Sequence, residues 1–304
     1  MVIRGEGVVL SRAGGRYSVF SGGDVVTASL RGRLKHEDYD RILVGDRVKL
    51  DVHQDGSVTI EGVEHRKSLL RRRSPGKRRG VRAVAANVDQ VVVVGSVREP
   101  QWDPYLMDRF VAVSEASQLP VLLVINKCDL AAEYRDVAAP YPAAGYDVLA
   151  TSVRTGQGLE LLRGRLLGRA SIFTGPTGVG KSSLMNALQP GLKLKTQAVS
   201  SKSGSGRHTT VTAEMHRFEP EGFVIDTPGL RDIGLWGLEP LDVVHAFPDI
   251  AARASACRFD NCRHLGEPEC AVEAACRQGE LVASRLESFR RLLQETVEAG
   301  RPWA

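Results

Sequence analysis

Gly175-Pro176-Thr177-Gly178-Val179-Gly180-Lys181-Ser182 fits G-x-x-x-x-G-K-[ST], the pattern of a loop that wraps phosphates. Ser171 to Thr174, just before it, read as a short buried strand. Ser182 to Leu188, just after it, read as a helix that Pro190 stops. Strand, glycine loop and helix N-terminus together aim successive backbone N–H groups at one anion. The loop, extended to Ser183, is therefore a candidate nucleotide site. Lys181 is expected at the β- and γ-phosphates, and Ser182 on Mg2+.

Upstream, apolar strands alternate with helices. Val88 to Val94, Val121 to Ile125 and Tyr146 to Ala150 read as strands; Tyr105 to Ala116 and Leu159 to Leu167 read as helices. This rhythm predicts an α/β domain whose parallel sheet is covered on both faces. The middle strand runs into Asn126-Lys127-Cys128-Asp129, an N-K-x-D sequence. Guanine presents two neighbouring N–H donors, and an ionised Asp129 accepts both. Adenine has no such pair, so the same carboxylate selects against ATP. Asn126 can tie this loop to the phosphate loop, and the Lys127 stem can lie over the base. Ser152 and Val153, after the next strand, stand where a GTPase contacts the guanine oxygen.

Downstream, Lys193 to Gly206 is rich in Ser, Lys and Gly and ends in Arg207-His208-Thr209-Thr210. It reads as a first switch, with Thr209 or Thr210 as a Mg2+ ligand. Phe223 to Ile225 read as a strand entering Asp226-Thr227-Pro228-Gly229, a D-x-x-G second switch. Asp226 would reach Mg2+ through water, and the Gly229 N–H would meet the γ-phosphate. The motifs are complete but rotated: base readers come first, then phosphate loop and switches. Cutting and rejoining a chain at surface loops preserves a fold whose termini lie close together. Leu230 stands where a water-orienting Gln is common, and an apolar side chain cannot align water. His208 is the candidate for that task; contacting RNA or capping its loop are its other readings.

Cys257, Cys262, His264 and Cys270 follow as C-x4-C-x-H-x5-C. Three sulfurs and an imidazole make a closed tetrahedral set suited to structural Zn2+. Cys276 is the odd thiol, in an alanine-rich helical stretch. Leu281 to Val297 reads as an amphipathic helix with Val282, Leu286, Phe289, Leu293 and Val297 on one face. Arg285, Arg290 and Arg291 fall off that stripe, which offers them to RNA or to solvent.

The first 65 residues read as five short strands: Gly7 to Ser11, Tyr17 to Phe20, Val25 to Leu30, Val48 to Val52 and Val58 to Ile60. Five strands fit a small OB-type barrel, and an SH3-like barrel is also allowed. Arg66 to Arg79 holds eight basic residues and no acid. Residues 1–80 carry 17 Lys and Arg against 10 Asp and Glu, so the net +5 of the 304-residue chain is concentrated there. That asymmetry points to a polyanion, with RNA the natural one. No apolar run approaches a membrane span, and no signal-peptide pattern opens the chain, so a cytoplasmic location is expected; a monomer is expected as well. The expected domains are an OB barrel (1–68), a basic linker (69–82), a permuted GTPase (83–245) and a helical zinc domain (246–304).

Asn87-Val88-Asp89-Gln90, Asn126 to Asp129, Gly175 to Ser182, Gly206 to Thr210, Asp226 to Gly229 and the Cys/His set occur in the order of one family. Over essentially its whole length the chain resembles the circularly permuted GTPases called RsgA or YjeQ. The resemblance implies the three-domain layout and GTP hydrolysis to GDP and phosphate, stimulated by the 30S ribosomal subunit. It further implies action near the decoding region, on 16S rRNA, late in subunit maturation. The connector departs from the family in its density of arginine. An RNA-binding assembly chaperone with secondary hydrolysis, and a tRNA-directed GTPase, are the alternatives.

Overall fold

The computed structural model describes residues 3–31, 42–73, 81–192, 194, 213–226, 238 and 240–300. In chain order the strands and helices begin with β1 (Ile3–Ala13), β2 (Arg16–Ser21), β3 (Asp24–Leu30), β4 (Arg47–Val52) and β5 (Val58–Val63). A hairpin follows, β6 (Leu69–Arg73) and β7 (Val81–Ala86). Then come β8 (Gln90–Ser96), α1 (Pro104–Glu115), β9 (Val121–Asn126), α2 (Tyr134–Ala138), α3 (Pro140–Ala143) and β10 (Asp147–Ala150). The chain continues through α4 (Leu159–Leu166), β11 (Ala170–Thr174), α5 (Lys181–Leu188), β12 (Glu214–Arg217) and β13 (Phe223–Asp226). It ends in α6 (Pro240–His245), α7 (Pro248–Ala254), α8 (Ala271–Arg277) and α9 (Ala283–Gly300). Two compact units result: residues 1–90, 165–173 and 202–230, and residues 91–164, 174–201 and 231–304.

In the first unit, β1 to β5 close a barrel in the order β1-β2-β3-β5-β4. The pairing of β3 with β5 is parallel, and β4 closes back on β1. That Greek-key closure is the OB-type arrangement. Alternate side chains point inward because successive residues of a strand face opposite sides. Val9, Tyr17, Val19, Ala28, Val48, Leu50 and Ile60 fill the interior. Gly7 is required by closeness: a Cβ there would lie 2.4 Å from Val19 Cγ1.

Two strands lie within the basic connector. β6 and β7 pair antiparallel, with Leu69 opposite Ala86. Arg66 is not presented to a polyanion, because Asp46, fully buried, takes its Nε and Nη2 at 2.7 and 2.9 Å. Lys77, Arg78 and Arg79 lie outside the described residues. The segment Asn87-Val88-Asp89-Gln90 then stitches this unit together. Asn87 donates to the Gly45 carbonyl and accepts from the Lys67 amide. Asp89 accepts from the Ala170 amide at 2.7 Å, and Gln90 donates to Ser171 Oγ and to the Arg165 carbonyl. β11 runs parallel to β13, which sets Phe173 opposite Asp226, and β12 pairs antiparallel to β13.

In the second unit, β8, β9 and β10 are parallel neighbours, and every residue of β8 is buried. Helix α1 starts where Asp103 accepts from the Leu106 amide and Pro104 takes the first turn, a strong start signal. The C-terminal helices share a core with α1 that includes Ala112, Phe247, Val272, Leu286, Phe289 and Leu292. Here one expectation is corrected. Arg285 is offered neither to RNA nor to solvent; it is 1% exposed and bridges Asp108 of α1 and Asp249 of α7 at 2.5 and 2.9 Å. Its guanidinium also lies 4.4 Å from the Phe247 ring centre. Arg290 is likewise engaged, on the His264 carbonyl and on Glu273. Arg291 is the exposed one, paired with Glu295.

Removing a single partner from a buried ion pair leaves an uncompensated charge, at a cost of about 3–5 kcal/mol. Arg285→Ala would strand two carboxylates. It is expected to lower stability by that amount in urea unfolding, whereas Arg291→Ala changes it by less than about 1 kcal/mol.

Candidate nucleotide site and Cys/His centre

The phosphate loop has the shape its sequence requires. Gly175 sits at φ 133°, and a Cβ there would lie 2.0 Å from the Val94 carbonyl oxygen of β8. Gly180, at φ 95°, would meet Asn126 Nδ2 at 2.5 Å. Both positions thus exclude side chains by closeness as well as by dihedral angle. The N-cap of α5 is Gly180, which has no side chain to cap the first turn, and a helix N-terminus presents its amides to an anion. Lys181 Nζ donates to the carbonyls of Gly175 and Pro176, both at 2.6 Å, which keeps the amine folded over the loop.

The Asn126–Asp129 loop leaves β9 and is tied to the glycine-rich loop. Asn126 Nδ2 donates to the Val179 carbonyl at 2.8 Å, and its Oδ1 accepts from Thr151 Oγ1 at 3.2 Å. Asn126, Thr151 and Val179 are all buried. Lys127, in the left-handed region at φ 58°, places Nζ on the Gly178 carbonyl at 3.0 Å and on that of Glu99. Ser152 Oγ donates to Asp129 Oδ1 at 2.5 Å. This hydroxyl, and then Arg154, holds the Asp129 carboxyl below the usual carboxylate range, against the opposing effect of its burial. Asp129 is therefore ionised and aimed by a fixed neighbour, as a reader of two N–H donors must be. Val153 is exposed beside it.

The structure brings together Asn126, Lys127, Asp129 and Ser152 with Gly175 to Ser182. Asp226 ends β13. His208, Thr209, Thr210 and Gly229 lie outside the described residues, as does Leu230. Arg154 is a residue that sequence reading missed: its Nε donates to Asp129 Oδ2 at 2.7 Å. The signal was weak, since a lone Arg in a polar turn reads as surface.

Cys257, Cys262, His264 and Cys270 converge, with their ligand atoms within 4.8 Å of one another. Cys257 Sγ lies 3.7 Å from His264 Nδ1 and 4.0 Å from Cys270 Sγ; His264 Nδ1 lies 3.4 Å from Cys270 Sγ. A tetrahedron with Zn–S of 2.3 Å has S···S edges of about 3.8 Å, so the set fits such an ion. Burial pushes the Cys262 thiol up to about 12 and the His264 imidazole down, so a cation is what would draw the Cys262 thiol to a thiolate while the imidazole stays neutral. Glu267 braces the turn by accepting from the amides of Arg263 and Leu265 at 2.9 and 2.7 Å. Cys276 stands apart from the four, on α8.

Residues 63–236 match the family model described as RsgA GTPase. The chain belongs to the RsgA GTPase family. A curated relative from Gemmatimonas aurantiaca, "Small ribosomal subunit biogenesis GTPase RsgA", is 46% identical over 96% of this chain and 97% of its own. Two solved structures are similar over nearly the whole of both chains. YjeQ from Thermotoga maritima has a TM-score of 0.81 at 35% identity, covering 98% of this chain and 100% of its own. YloQ, described as a circularly permuted GTPase, has 0.75 at 28%, covering 99% and 98%. Family membership makes this chain a GTP hydrolase, and its motif order is the permuted one. Among the described residues no helix is long and apolar enough to cross a membrane.

Asn126→Ala would leave the Val179 carbonyl unpaired in a buried site, at a cost of about 1–3 kcal/mol. The expected outcome is GDP affinity reduced at least about tenfold, read by equilibrium titration, together with a lower thermal midpoint.

Proposed function

We propose that this chain assists late maturation of the small ribosomal subunit, hydrolysing GTP when the subunit stimulates it and leaving once hydrolysis has occurred. The observation that carries the reading is the pair of loops joined through Asn126. One loop holds an ionised carboxylate for a guanine edge, and the other holds a lysine and a helix N-terminus for phosphate. The names of its relatives support the ribosomal setting.

In this reading Asp129 and Ser152 read the base, with Asn126, Lys127 and Val153 around it. Lys181 and the amides of Gly175 to Ser183 hold the phosphates. Mg2+, when bound, neutralises charge developing on the phosphate oxygens. Ser182 and Thr209 or Thr210 would ligate it, with Asp226 behind a water. The Gly229 amide would meet the γ-phosphate. His208 would position the attacking water, since Leu230 cannot, and it would do so when the subunit orders its loop. Cys257, Cys262, His264 and Cys270 would hold structural Zn2+. The OB-type barrel (1–68) and the basic segment (69–82) would bind 16S rRNA, joined to a permuted GTPase (83–245) and a zinc domain (246–304). The chain would act as a cytoplasmic monomer.

Sequence order places the second switch directly before the C-terminal helices. Loss of the terminal phosphate would therefore be felt by the domain attached to it. Release by hydrolysis requires tighter binding to one nucleotide state than to the other. Co-sedimentation with 30S subunits should show stronger association with a non-hydrolysable GTP analogue than with GDP; equal association would refute gated release. His208→Ala should reduce 30S-stimulated turnover by about 100-fold and leave GDP affinity intact. Stimulated turnover at the wild-type rate would remove His208 from the mechanism.

A further inference from the structure

Arg154 and a guanine base need the same oxygen. The Arg154 Nε donates to Asp129 Oδ2 at 2.7 Å, and Ser152 already engages Oδ1. The Asp129 side chain is 8% exposed and that of Arg154 72%. The pair therefore sits at the rim of the base site, with the cation on the outside.

The chemistry of the two competitors is alike. The reading edge of guanine is an N–C–N fragment with an N–H on each nitrogen. A guanidinium is the same fragment with a positive charge, and a carboxylate accepts it in the same plane. We propose that Arg154 is an internal mimic of the guanine edge, which competes for Asp129 and so sets how tightly the site holds its nucleotide. The inference rests on the assignment of Asp129 as base reader.

The local backbone makes the competition separable from folding. The turn that carries Arg154 is closed without its side chain. Ser152 N donates to the Gln157 carbonyl at 3.0 Å, and Gly156 N donates to the Ser152 carbonyl at 2.9 Å. Thr155 N donates to Ser152 Oγ at 3.2 Å. Gly158, at φ 70°, packs so closely that a Cβ there would lie 2.1 Å from the Ala150 carbonyl oxygen. Loss of the guanidinium thus frees Asp129 Oδ2 and leaves Ser152 holding Oδ1.

Size and sign follow. An exposed ion pair is weak, so displacing it reduces apparent affinity by about two- to fivefold, through the fraction of chains whose carboxylate is free. Salt weakens the pair further. The ordinary alternative gives the opposite sign: if Arg154 lies over the bound base, removing it loosens the nucleotide.

Arg154→Met keeps the apolar stem and removes the mimic. A fluorescent GDP derivative, titrated into wild type and R154M, reads the difference, with unlabelled ADP as competitor. R154M is expected to bind about two- to fivefold tighter at low ionic strength, and the gap should close near ~1 M salt. Equal or weaker binding by R154M at low salt would overturn the proposal while leaving the nucleotide site intact. Wild type that released the probe to ADP as readily as to GDP would overturn the reading of Asp129, and the mimic with it.

Discussion

Asn126 makes one hydrogen bond on which the rest of the candidate nucleotide site depends. Its amide reaches 53 residues along the chain to the Val179 carbonyl, inside the phosphate loop. The other end of the same amide is held by Thr151, directly after β10. Three separate pieces of chain are thus fixed by one buried side chain, and a buried amide left unpaired is costly. Around that bond the glycines have no freedom. Gly180 has no room for a Cβ because Asn126 is there, and Gly175 has none because the β8 backbone is there. The Asn126–Asp129 loop and the glycine-rich loop are therefore one geometric unit.

The rotation of the motifs is compatible with this because the contacts are spatial. A bond between residue 126 and residue 179 does not depend on which was made first. The permutation instead changes what is attached where. In the first unit the Asn87 to Gln90 segment binds the Gly45 turn, the Lys67 amide and β11 within four residues. In the second unit Arg285 couples α9 to α1 and α7 through two buried carboxylates. Both junctions use charged or amide side chains whose partners are fully specified, which suits the fixing of geometry more than the gaining of stability.

Much of this was legible in the sequence. β8, β9 and β11 are apolar runs followed by recognisable loops, and strands buried on both faces announce themselves in that way. The barrel strands followed from alternation, and the parallel β3–β5 pair then decided between OB and SH3-like closure. Other parts were hidden for physical reasons. The β6–β7 hairpin is dense in arginine, so it has no apolar period to detect. Helices α6 and α7 are too short for a 3.6-residue pattern to repeat. Arg285 read as surface because its partners, Asp108 and Asp249, lie 177 and 36 positions away. Arg154 was invisible because its contact with Asp129 depends on a turn that only three dimensions reveal.

The central claim is that the loop of Asp129 and the loop of Lys181 grip opposite ends of one guanine nucleotide. A crystal structure of the chain with GDP tests it most directly. The account predicts the guanine edge against the Asp129 carboxylate, Arg154 displaced, and the diphosphate within the amides of Gly175 to Ser182. A base bound anywhere else, or a diphosphate away from Lys181, would contradict it.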